Sequence, residues 1–112
     1  MRIIYNKYFP FGNFFAINIL GVVFARKDMG ELRDIDRNHE LIHSLQQREM
    51  LFIGFYLWYG LEWLVRLARC LNAMQAYRSI SFEQEAYAEQ HDLDYSTHRS
   101  CYAWAKYLRK LS

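Results

Sequence analysis

Cysteine, proline and net charge are all scarce in this sequence. Two cysteines, Cys70 and Cys101, are too few for a disulfide framework and point to a reducing, cytoplasmic setting. One proline and five glycines in 112 residues exclude a collagen-like or loop-dominated chain. The formal charge of +2 lacks the strongly basic face that nucleic acid selects, so no nucleic-acid partner is expected. Long apolar runs are missing too. Tyr8–Ala25 carries no charge over 18 residues, but Pro10, Gly12, Asn13, Asn18 and Gly21 interrupt it. Met50–Leu61 is 12 residues long and ends at Glu62, short of the roughly 20 that a spanning helix needs. The opening MRIIYNKYFPFGN has neither an apolar core nor a small-residue cleavage site, so a signal peptide is not expected.

What is abundant is apolar and aromatic surface, at 53% and 18% of residues. That composition fits one folded domain, residues 1–112. Residues 14–25, FFAINILGVVFA, read as a strand or hairpin, because β-branched and aromatic side chains suit a pleated surface. Arg26–Arg37 reads as a loop, and Asp36 or Asn38 as the cap of a helix running from about His39. A second helix is expected over Phe55–Leu71, apolar on nearly every side. Such a helix must be covered, so it is either an ordinary core helix or, over residues 55–67, a candidate contact with a membrane surface or a second copy of the chain. Residues 72–80 read as a connection. Ser81 with Gln84 fits a capping box opening a third helix, and a last helix is expected over Thr97–Leu111.

The chemistry concentrates in NHELIHSLQQ, residues 38–47, which contains the H-E-x-x-H pattern at His39, Glu40 and His43. On a helix, residues i and i+4 share a face, so both imidazoles can reach one metal ion while Glu40 reaches a water beside it. Two imidazoles and a carboxylate with an open fourth position suit zinc. A chain of this composition produces the pattern by chance roughly 0.007 times. Further on, residues 81–92 supply Glu83, Glu85, Glu89, His91 and Asp92 as carboxylate and imidazole candidates.

HELIHSLQQ at 39–47, followed by EQEAY at 83–87, resembles the gluzincin zinc metallopeptidases. The likeness is to small domains with HELxHxxQQ … ExEA and to membrane gluzincins with E-x-x-A-D. The resemblance implies an α+β, mostly helical, minimal zincin-like fold with a short N-terminal β-hairpin followed by helices. It implies Zn2+ held by His39, His43 and Glu83, with Glu40 as general base in hydrolysis of a peptide or protein substrate. Glu85 is the rival third ligand. The family's aspartate, which partners a ligand histidine, maps to Tyr87 here, and Tyr87 or His91 is a candidate for steadying an oxyanion. The resemblance also implies a substrate-pairing strand before the motif helix, for which Phe14–Ala25 is the candidate. The alternative is a non-catalytic zincin-fold binding or assembly module, peripheral to a membrane.

Overall fold

The computed structural model describes residues 2–7 and 16–111. Three strands, β1 (Arg2–Asn6), β2 (Ala16–Ile19) and β3 (Val22–Arg26), form one sheet in the order β1-β3-β2. The expected hairpin is β2–β3, paired antiparallel from Ala16↔Ala25 to Ile19↔Val22; Phe14 and Phe15 lie outside the described residues. Its two-residue turn has positive φ at Leu20 (54°) and Gly21 (86°), the backbone twist that tight hairpins require. Leucine is a costly residue there. Its N–H donates to the Tyr56 hydroxyl at 2.8 Å, which helps hold the turn. Strand β1 was not foreseen. It adds to β3 in parallel, from Arg2↔Val22 to Asn6↔Arg26, leaving β2 at the edge of the described sheet.

The helices are α1 (Asp34–Glu49), α2 (Ile53–Cys70), α3 (Ala73–Ser79), α4 (Ser81–Glu89) and α5 (Tyr95–His98). The motif helix α1 begins five residues before His39. Arg33 occupies its cap position, and its N–H donates to Asp36 Oδ2 at 3.1 Å within the first turn. Residues 72–80 are not a mere connection, because Asn72 Oδ1 accepts from Gln75 N at 2.9 Å and starts α3. Ser81 does not cap α4. It is the helix's first residue, and its N–H and hydroxyl both donate to the Glu62 carboxylate at 2.7 Å. In place of one last helix there are α5 and a 3-10 segment, Ala103–Leu111.

Asn18 joins sheet to motif helix. Its side-chain amide donates to Glu40 O and Ser44 Oγ, both at 2.8 Å, so β2 lies along α1 beside the metal-motif residues. Behind α1 sits an aromatic core of Phe55, Ile80, Phe82 and Trp104, while Ile42, Ala86 and Tyr95 pack α1 onto α4.

Burial on α2 runs against its composition. The helix hides Phe55 and its charged pair Glu62 and Arg66, which meet at 3.0 Å, and exposes Leu57, Leu61 and Leu64. The turn into α2 puts Leu51 and Phe52 at φ 55° and 60°. The two helices are bent by 110° across that turn. No single helix among the described residues is long and apolar enough to cross a membrane.

Candidate metal centre

One turn of α1 separates His39 from His43, and their rings lie 4.8 Å apart, edge to face. Helix α4 brings Glu83 to them. His43 Nε2 lies 3.2 Å from His39 Nε2 and 3.0 Å from Glu83 Oε1, and His39 Nε2 lies 3.4 Å from the same oxygen. All three residues are buried. Ligand atoms around a tetrahedral ion at zinc–ligand distances stand roughly 3.3 Å from one another. The triangle matches that spacing, and His39, His43 and Glu83 are placed to hold one metal ion.

The hydrogen bonds behind the triangle decide which ring nitrogens face it. Gln46 spends both amide hydrogens, donating to Phe82 O and Glu85 Oε1 at 2.9 Å each. Its oxygen, 2.8 Å from His43 Nδ1, therefore accepts from that nitrogen. His39 Nδ1 meets Gln90 Oε1 at 2.8 Å in the same way. Both rings are then protonated at Nδ1, which aims two Nε2 lone pairs and a carboxylate oxygen at one point. Three such acceptors in contact repel one another unless a cation lies between them. This is the observation by which the residues fit a metal. The Tyr59 hydroxyl donates to Glu83 Oε2 at 2.7 Å and holds Oε1 on the histidine side.

With no metal, a proton is the only cation the cluster can recruit. Burial works against charging His43, yet Glu83 beside it pushes the ring up to about 9. Burial would raise Glu83, but His43 and His39 hold its carboxyl well below the usual carboxylate range. For the histidine the folded value exceeds the unfolded one. Its stabilisation is complete below about pH 6.5 and disappears as pH rises through about 9. For the glutamate the stabilisation is present above about pH 4.5 and disappears only in strong acid. Chelator-treated protein is therefore expected to lose stability between pH 6.5 and 9, and metal-loaded protein to escape that loss. Urea titrations across pH, with and without the ion, measure both curves.

Glu85 is not part of the cluster. Fully buried, it accepts from Gln46, from the Tyr95 hydroxyl at 2.7 Å and from the Arg99 guanidinium, which also grips Glu49 at 3.1 Å through two nitrogens. Between the two carboxylates that the sequence offered, Glu83 meets the histidines and Glu85 anchors the scaffold. Tyr87 packs its ring edge-on against His39 at 4.6 Å. His91 is exposed, and His98 pairs with Asp92 at 2.9 Å on the surface.

Glu40 borders the same site but ligates nothing in the triangle. Its backbone carbonyl accepts from Asn18 and Ser44, and the residue, its carboxyl buried, is among those lining a cleft of about 520 Å³. Burial pushes that carboxyl above its ordinary value, and the two histidines only partly offset the rise. The cleft runs between β2, α1 and α2, walled by Ile17, Ile19, Phe55, Tyr56 and Tyr77. Sequence reasoning missed Tyr59, Tyr77 and Gln90. Tyr59 had one available signal, its place one turn after the inward-facing Phe55. Nothing local marks the other two as neighbours of His39 or Glu83.

Compared with known proteins, the chain matches no family model, no curated protein and no solved structure. The chemistry of the site therefore rests on its own geometry: a buried two-histidine, one-carboxylate cluster, a buried unligated carboxyl beside it, and an apolar cleft leading to both.

Proposed function

We propose that this chain is a zinc-dependent peptidase with a minimal zincin-like, gluzincin-type fold. In this reading His39, His43 and Glu83 hold the ion and Glu40 is the general base. One observation carries the reading: a carboxyl outside the ligand triangle, raised by burial, belongs to a residue that lines the same substrate-sized cleft as the histidine pair. Two imidazoles and one carboxylate also suit ferrous iron, but an adjacent base is what hydrolysis requires and oxygen chemistry does not. A divalent ion held here supplies Lewis acidity toward a carbonyl and toward water.

The remaining steps belong to the chain's own side chains. Glu40 takes a proton from the attacking water, for which its raised pKa is better matched than an exposed carboxylate's, and passes it to the departing amine nitrogen. Gln46 and Gln90 keep the imidazoles in one tautomer and one orientation. Tyr59 keeps Glu83 from rotating away. Strand β2, at the sheet edge and along the cleft wall, offers backbone groups to an extended peptide, so the substrate adds to the sheet as a further strand. The apolar wall suits bulky apolar side chains.

The test combines metal analysis with a peptide library. Protein purified without chelator or histidine tag is expected to hold about one zinc per chain. It is expected to cleave peptides with bulky apolar residues, to stop when the metal is stripped, and to resume when zinc is returned. Stoichiometric zinc with no cleavage across the library would favour the binding-module reading instead.

A further inference from the structure

We propose that the outward face of α2, with the α1–α2 turn, seats on an anionic lipid surface. The helix is turned inside out for a water-facing one. Its two central charges, Glu62 and Arg66, are 5% and 4% exposed, while Ile53, Leu57, Leu61 and Leu64 are 74%, 71%, 57% and 58% exposed. Polar groups inward and leucines outward is the arrangement of helices that meet lipid.

The width of the face argues for lipid over a partner helix. From Tyr56 through Ile53 and Leu57 to Trp58, the exposed arc covers about 200° of the circumference at 100° per residue, twice the stripe that packing against one helix uses. The face continues to the turn, where Leu51 protrudes at 81% exposure.

Charge points the same way. Between Met50 and Phe82 the single acidic residue is Glu62, which is buried, whereas Arg48, just before the α1–α2 turn, and Arg69, in the last turn of α2, are exposed. Exposed acids, Asp34, Asp92 and Asp94 among them, lie at the opposite end of α1 together with the exposed Arg33 and Arg37, where Asn38 donates to Asp92 O at 2.9 Å. A second copy docked on this face would set arginines against arginines. Anionic headgroups would neutralise them. Tyr56 and Ile17, each 38% exposed, also wall the cleft, so docking brings the cleft mouth to the lipid boundary. None of this depends on hydrolysis.

The experiment floats the full chain with vesicles of phosphatidylcholine alone, or of phosphatidylcholine mixed with phosphatidylglycerol. The chain is expected to float with the mixed vesicles, more weakly with the neutral ones, and less in high salt. Leu57→Gln combined with Leu61→Gln is expected to lower the partition coefficient at least about tenfold. Arg48→Gln and Arg69→Gln are each expected to cost about fivefold on anionic vesicles and little on neutral ones. All these side chains are exposed, and unchanged circular dichroism checks the fold. Should the leucine variant not fold, quenching of wild-type tryptophan emission by brominated lipid, lost in Trp58→Phe, reads the same contact. Failure to float with either vesicle would overturn the proposal. So would a wild-type dimer that ignores vesicles and dissociates on the leucine substitutions, since a second copy would then be the occupant.

Discussion

Glu40→Gln is expected to leave the protein folded and metal-loaded and to lower hydrolysis by about 10²–10⁴-fold, roughly 3–5 kcal/mol of barrier. The substitution is close to isosteric. It touches none of the three converging ligand atoms, and the contacts that fix position 40 run through its backbone carbonyl to Asn18 and Ser44, which glutamine keeps. Removing a buried carboxyl that has been pushed above its ordinary value also removes a desolvation cost, so the variant is expected to be no less stable than the parent. A neutral amide, however, cannot accept a proton from water. The measurements are metal content, a denaturation midpoint and kcat/KM on the best library peptide. A variant that retained activity would remove Glu40 from the chemistry. One that lost the metal would mean that position 40 reaches the ion.

Sequence periodicity made the hairpin, the motif helix and the aromatic helix legible, because each carries its signal within about a dozen residues. The N-terminal strand was not legible, since Arg2–Asn6 becomes a strand only through long-range pairing with Val22–Arg26. The start of α1 was misplaced because Arg33 is not a capping residue type, and the acceptor that its N–H meets, the Asp36 carboxylate, lies inside the helix rather than ahead of it. Ser81 and Gln84 satisfy the capping-box pattern, yet Ser81 is already the first residue of α4, with Ile80 at the cap position, and its N–H and hydroxyl donate to the buried Glu62 carboxylate. At the site, His39, Glu40 and His43 were readable because one helical turn fixes their geometry. Gln46 follows the motif by three residues, but its role needs Phe82 and Glu85, which approach from another helix. Helix α2 shows the limit most clearly. Its all-round apolarity was visible, but not that the fold would bury its charges and expose its leucines.

The two glutamates of α4 are expected to separate metal binding from stability. Glu83→Gln leaves Nε2 of His39 and His43 without the anionic third donor and replaces the acceptor of the Tyr59 hydroxyl. Metal retention is expected to collapse. The stabilisation that added zinc gives the parent, about 2.7 kcal/mol at a hundred times its dissociation constant, is expected to vanish with it. Above about pH 9, where His43 has lost its proton, the metal-free variant is expected to be no less stable than the metal-free parent, because the repulsion among three converging acceptors is relieved; at lower pH it also loses the pairing of Glu83 with protonated His43. Glu85→Gln does the reverse. It leaves the buried Arg99 guanidinium with the Glu49 carboxylate alone and exchanges charged hydrogen bonds for neutral ones. Breaking one side of a buried ion pair costs about 3–5 kcal/mol, and the surviving Glu49 contact sets the expectation near the lower figure. Metal affinity is expected to stay within about tenfold of the parent, since Gln46 keeps its bond to Phe82 O and continues to orient His43. Zinc competition against a chromophoric chelator, and urea denaturation of the metal-free proteins above about pH 9, give the two axes. If both substitutions moved along the same axis, the division between ligand and scaffold would be wrong. Metal loss that followed Glu85→Gln and spared Glu83→Gln would transfer the third ligand by two residues along α4.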